Sequence, residues 1–313
     1  MKAKVFFLSL LVALAGLGSM QAYNPQEEDV RGAFLTTRPK PSAKPGPSSR
    51  PSRRRPKTIK ADPVAVNSPS PNPGKNPGPN SSPDSTPRRA SSQRLGLGVT
   101  LFMRNSSGLA VRTDPSRTFR KGDHVRVLLE TNADGYLYVF NTTDDGQPIM
   151  IYPDAELDEA GNYIQGHVPW EIPSSTAAEE RLRWFTFDQT SGAEKLYFVF
   201  TREPLPTVPI EDDLITYCRE NTGKCPWQPA ADVWAQIKKE LGEPVKVAKA
   251  ESFGKSQTEP EQQAATRGIG LNRNDPEPSL IMLTASTSKN ILVATMDLIH
   301  KSEVGTANPE ELE

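Results

Sequence analysis

The sequence predicts a mainly β fold: a β-sandwich of immunoglobulin-like general architecture, with one or two late helices and long disordered segments. Three observations carry this. Phe119 to Pro153 reads as three consecutive strands separated by turn residues; further β-branched and aromatic runs flank that stretch; and a proline-rich segment poor in aromatics precedes it. The 313-residue chain balances 37 Lys and Arg against 38 Asp and Glu, for a formal charge of -1.

The N-terminus has basic Lys2 and Lys4, an apolar run from Val5 to Gly18 and small or neutral residues up to Ala22. These are the three parts of a secretory signal peptide over residues 1–22, and the apolar run is short for a membrane span. The other reading is an uncleaved anchor. No cysteine follows the run, so lipidation there is not expected, and the mature chain is expected to begin near Tyr23, in the periplasm or outside the cell, without a transmembrane span.

Residues 23–94 are rich in proline, serine and basic residues, and are expected to form a disordered linker with polyproline II character. From Arg31 to Arg94 fourteen lysines and arginines face only Asp62 and Asp84, and Arg53, Arg54 and Arg55 are the densest point. Two readings stay open: a solvated tether, or attachment of that basic cluster to an anionic envelope polymer. Export and the lack of interleaved aromatics argue against nucleic acid.

The folded part is expected over residues 95–302. Leu97, Val99, Leu101 and Met103 alternate through a first strand. Val125, Val127 and Leu129 mark a second, and Asn132 to Gly135 turns it into Tyr136-Leu137-Tyr138-Val139-Phe140. Thr143-Asp144-Asp145-Gly146 then leads into Pro148 to Tyr152, a hairpin signal. After a polar loop from Asp154 to Ile172, strand character resumes over Arg181 to Phe187 and Lys195 to Thr201. A helical insertion over residues 210–242 holds a short helix from Ile210 and a better one from Pro229 to Leu241, with Val233, Trp234, Ile237 and Leu241 on one face and Gly242 to stop it. Residues 244–278 read as flexible, Leu280–Leu283 and Ile291–Ile299 as a C-terminal hairpin that completes the sheet, and residues 303–313 as a disordered tail.

The pattern F-x-x-G-D-x-V-R-V from Phe119, D-G-Y-L-Y-V-F from Asp134 and D-G-x-x-x-x-x-Y-P from Asp145 resembles the bacterial domain of unknown function DUF4384. The likeness runs on through Phe185-Thr186-Phe187 and Gly192 to Leu205, covering roughly residues 117–206. It brings no catalytic residue to carry over. Members are often appended to signalling or peptidase domains, which implies an accessory binding role.

Chemistry is sparse. Cys218 and Cys225 are expected to close a small loop as a disulfide in an oxidising compartment, with free thiols as the alternative. Without adjacent histidines they fall short of a zinc site, and no metal or other cofactor is expected. His124, His167 and His300 are scattered, no nucleophile turn accompanies them, and no catalytic residue is assigned. Asp144, Asp145, Asp154, Glu156, Asp158 and Glu159 crowd two loops, but Tyr152 stands where an EF-hand needs its glutamate. Tyr136 and Tyr138 share one strand face. If that face is exposed, Tyr136, Tyr138, Tyr152 and Trp170 line a binding surface; if it is core, they are packing. The expected function is a non-catalytic interaction module for an envelope protein or glycan. The alternatives are a hydrolase using loop carboxylates and a subunit that assembles through its C-terminal strands.

Overall fold

The computed structural model describes residues 25–41, 93–155, 161–221, 225–250 and 252–301. The expected signal peptide, most of the basic arm with Arg53, Arg54 and Arg55, the loop residues Glu156, Asp158 and Glu159, and the tail beyond residue 301 lie outside them. Among the described residues no helix is long and apolar enough to cross a membrane.

In chain order the elements are α1 (Pro25–Leu35), β1 (Gly96–Arg104), β2 (Ala110–Arg112), β3 (Thr118–Phe119), β4 (His124–Thr131), β5 (Gly135–Thr143), β6 (Ile149–Tyr152), β7 (Tyr163–Ile164), β8 (Trp170–Ile172), β9 (Phe185–Thr186), β10 (Gly192–Thr201), α2 (Glu211–Glu220), α3 (Ala231–Leu241), β11 (Val245–Lys249), α4 (Glu259–Arg267), β12 (Leu280–Thr284) and β13 (Ile291–His300). They form a β-sandwich. One sheet has the order β11-β12-β1-β4-β8, with β2 on β1 and β9 on β4; the other has the order β3-β13-β10-β5-β6, with β7 on β5. Several of these strands are only two or three residues long.

Period-two patterning explains the core. Leu97, Val99 and Leu101 of β1, Val125, Val127 and Leu129 of β4, Leu137 and Val139 of β5, Leu196, Phe198 and Phe200 of β10, and Leu292, Ala294 and Met296 of β13 fill the space between the sheets. Each is every second residue of its strand, so one face of each sheet points inward. The opposite face of the β5 sheet carries Tyr136, Tyr138, Phe140, Tyr197 and Val199, and α2 and α3 cover it through Leu214 and Ile237. Trp234 meets Phe140 and Tyr197 edge-on, with ring centroids 5.7 and 4.7 Å away. A disulfide joins Cys218, near the end of α2, to Cys225, with 5.5 Å between their Cα atoms.

Three expectations are corrected. Residues 25–41 are part of the fold, not linker: Val30 and Phe34, one turn apart, pack on Ala248, Ile281 and Leu283. The sheet makes room with glycine, since a Cβ on Gly96 would lie 2.9 Å from the Phe34 ring. Two apolar anchors among charged residues are too few to show in composition.

Residues 244–278 are likewise ordered where described. β11 pairs with β12 at the sheet edge. At the start of α4, Thr258 and Glu261 form a reciprocal capping box, and Gly268 closes the helix at φ 65°. Capping and ion pairing replace the apolar content that the sequence lacks there.

The C-terminal strands complete the sandwich without forming a hairpin. β12 pairs with β1, and β13 lies between β10 and β3 in the other sheet. The residues between them cross from one sheet to the other.

Candidate ligand site at one end of the sandwich

The inward alternation changes character at one end of the sandwich. On β5 the inward series Leu137, Val139 continues with Asn141 and Thr143; on β10 the residue before Leu196 in the series is Glu194; on β13 the residue after Leu298 is His300. Register brings these positions together. Thr143 pairs with Glu194, Glu194 with Leu298, and Gly192 with His300. Glu194 and His300 are thus diagonal neighbours on adjacent strands, with Cα atoms roughly 7–8 Å apart.

Between these strands and β4, β6 and β9 lies a cavity of about 480 Å³, within the roughly 300–1,000 Å³ of small-ligand sites. Val125, Val127, Ile149, Ile151, Leu196 and Leu298 form apolar walls, and Asp188 and Thr190 sit at the mouth. Phe187 braces one side by stacking on Phe119 at 4.8 Å between centroids and leaning on His300 at 5.2 Å.

The polar groups are unevenly satisfied. Asn141 Nδ2 donates to Glu194 Oε2 at 2.7 Å, and the Thr143 hydroxyl donates to the same carboxylate. The Asn141 carbonyl oxygen and both ring nitrogens of His300 are buried without a hydrogen-bond partner among the described residues. His300 is 5 % exposed, and the nearest carboxylate oxygen, Asp188 Oδ1, is 3.7 Å from Nε2, beyond hydrogen-bond range. A buried polar group left unpaired costs about 1–3 kcal/mol, and this end of the core carries that cost at Asn141 and His300, as Asn162 and Thr142 do elsewhere in the fold.

The tyrosine and tryptophan positions do not make a surface. Tyr136 and Tyr138 are 7 % and 0 % exposed beneath the helical layer, and Tyr138 Oη accepts a 2.9 Å bond from the Leu205 amide. Tyr152 and Trp170 belong to the other core, between the sheets, with their rings 5.7 Å apart. The binding-surface reading of these four residues is therefore corrected in favour of packing: two late helices cover the face that carries Tyr136 and Tyr138, and Tyr152 and Trp170 lie between the sheets.

The acidic turn residues hold the hairpin against β10. Asp144 and Asp145 take φ of 50° and 55°, as a primed hairpin turn requires. Asp144 accepts from the Ala193 amide, and Asp145 pairs with Lys195 at 3.0 Å.

His167 stands in a buried polar cluster that the sequence did not reveal. Its Nδ1 lies 2.8 Å from Glu130 Oε1 and its Nε2 2.7 Å from the Thr37 hydroxyl. Hydroxyl, imidazole and carboxylate thus line up as in a nucleophile relay. The Thr37 hydroxyl, however, donates to the Phe34 carbonyl, so it meets Nε2 as an acceptor, the reverse of what an activated nucleophile needs. Arg38 also holds Glu130 through two bonds of 2.8 and 2.7 Å. The cluster clamps the segment after α1 onto β4.

Two further buried pairs act in the same way. Arg112 of β2 bonds Glu261 of α4, and Arg126 of β4 lies 3.4 Å from Glu171 of β8 and 4.3 Å above the Trp184 ring.

Residues 118–204 match the family described as a domain of unknown function, DUF4384. The match runs from β3 just past β10 and so includes the Asn141, Thr143, Asp188 and Glu194 part of the cavity. It leaves out β1 and β13, interior strands of the two sheets, and with β13 it leaves out His300. No curated protein and no solved structure matches the chain.

Proposed function

We propose that this protein is an exported, non-catalytic interaction module whose receptor site is the cavity at the end of the sandwich. The carrying observation is the conjunction in one place of apolar walls, a polar mouth and a buried His300 that has no hydrogen-bond partner among the described residues. Sealed cores seldom leave such groups unmet, and a ligand that supplies a partner recovers that loss. The walls are aliphatic and phenylalanine side chains rather than an open aromatic platform, which favours an apolar group of a partner over a flat sugar face.

N-Phenyl-1-naphthylamine tests the site, because its fluorescence rises on entering an apolar cavity. Saturable binding at one equivalent is expected, weakened at least tenfold by Ile151→Trp at the partly exposed wall and by Leu298→Trp. Equal binding by both variants, with unchanged melting, would place the dye elsewhere and remove the site.

The charge of residues 42–92 suits a second role, attachment to an anionic surface. Sedimentation with vesicles containing phosphatidylglycerol is expected for the mature chain at low salt and to be lost when Arg53, Arg54 and Arg55 become alanine. Deleting residues 42–92 should leave dye binding unchanged. Vesicle binding that survives the triple substitution at full strength would show that the cluster is only part of a tether.

A further inference from the structure

The hydrogen-bonding inventory of the cavity is biased toward acceptance, and this identifies the head group that fits it. Glu194 and Asp188 are carboxylates, which only accept when ionised. The buried Asn141 carbonyl oxygen has no donor among the described residues, while the amide nitrogen of the same side chain donates to Glu194. Neither nitrogen of His300 has a hydrogen-bond partner among the described residues, and neutral imidazole offers one acceptor beside its one donor. Lysine and arginine are absent from the lining. The Thr143 hydroxyl already donates to Glu194. An anionic head group would meet two carboxylates and no cation, and a neutral carbonyl would find few donors.

From this we infer that the cavity binds a ligand with an apolar body and a protonated primary amine as its head, the ammonium bridging Glu194, the Asn141 carbonyl oxygen and His300. An ammonium carries three N–H donors and no acceptor, which complements the set. Its bonds to a carboxylate are of the strong, charge-assisted kind. The apolar body lies against Val127, Ile151, Leu196 and Leu298, and Asp188 at the mouth attracts the cation on entry. This rests on the cavity reading above and adds the chemical class of its occupant. The same chemistry is offered by a free alkylamine and by a lysine side chain.

The test compares n-hexylammonium, n-hexanol and hexanoate on the mature full-length chain at pH 7.5, following the ring signals of ¹⁵N-histidine-labelled protein. Hexylammonium is expected to shift the His300 signals saturably, and hexanoate to bind at least tenfold more weakly. Glu194→Gln keeps the side-chain shape and its bond from Thr143, and should weaken hexylammonium at least tenfold without altering hexanol. An acetylated, amidated peptide of residues 57–60, Lys-Thr-Ile-Lys, distinguishes the sources: tighter binding than hexylammonium assigns the site to lysine, weaker binding to a free amine. Hexanol or hexanoate binding within threefold of hexylammonium, or an unchanged Glu194→Gln variant, overturns the ammonium assignment. If N-phenyl-1-naphthylamine still binds in that case, the cavity stands and only its ligand class falls. If neither dye nor amine binds, both are lost.

Discussion

Arg38→Ala is expected to destabilise the folded chain by about 3–5 kcal/mol, the usual cost of leaving one member of a buried ion pair without its partner. Arg38 is 1 % exposed, Glu130 is 3 % exposed, and the guanidinium also donates to the carbonyls of Asn272, Asp275 and Pro276. The substitution therefore strips a buried carboxylate and three carbonyls together. Urea unfolding at pH 7 measures it against Arg181→Ala, whose pair with Glu179 is exposed and is worth about 0–1 kcal/mol. Equal losses from the two variants would show that the segment after α1 adds nothing to the stability of the sandwich.

The same cluster predicts a pH dependence. Burial by itself raises the pKa of Glu130, but the hydrogen bonds from His167 and Arg38 and their positive charge outweigh it and hold the carboxyl below its ordinary value. A carboxylate whose folded pKa is depressed contributes stability that is fully present above the unfolded value, about 4.3 for Glu. That contribution is lost as pH falls through the lower, folded value. Glu130→Gln should flatten this acidic limb of the stability profile. Parallel acid limbs for wild type and variant would assign the loss to other carboxylates.

Tyr138→Ala is expected to cost about 3–5 kcal/mol, as for other large aromatic side chains removed from a core. Tyr138 is fully buried beneath the helical layer, in the cluster that includes Leu214 and Trp227. Tyr138→Phe keeps the ring but leaves the Leu205 amide without its acceptor, a loss of about 1–3 kcal/mol. Neither change should alter hexylammonium affinity in protein that remains folded, because Tyr138 lies on the opposite face of the sheet from the cavity. A Tyr138→Ala variant of normal stability that loses ligand binding would restore the tyrosine face as a recognition surface.

Much of the sandwich could be read from local pattern. The alternation of Val125, Val127 and Leu129, the Asp144-Asp145-Gly146 turn and the 3.6-residue spacing of Val233, Trp234 and Ile237 are each decided by neighbours in sequence. Alternation, however, shows only that two faces differ, not which one water reaches. Tyr136 and Tyr138 stood on a face whose cover is supplied much later in the chain by α2 and α3, so burial there was undetermined until the chain had folded back. The segment after α1 escaped notice for a related reason. With α1 it is held by a bidentate ion pair, the Thr37 contact with His167 and the apolar Val30 and Phe34, whose partners Glu130, His167 and Ile281 are distant in sequence.

The candidate site was legible only in hindsight. Glu194, Asn141 and His300 each continue an inward series past its apolar end, a signal present in the strands themselves. Nothing in one strand, though, says that the polar ends of three strands share a level. The sequence by itself determined the secondary structure of the central strands, the turn chemistry between them, the face of α3 and the likeness to DUF4384, because propensity and periodicity are local properties. Tertiary structure alone decided which sheet each C-terminal strand joins, which tyrosines are core and which acceptors converge on one cavity. Those outcomes depend on register between strands far apart in the chain, and a shift of one residue would turn each inward side chain outward.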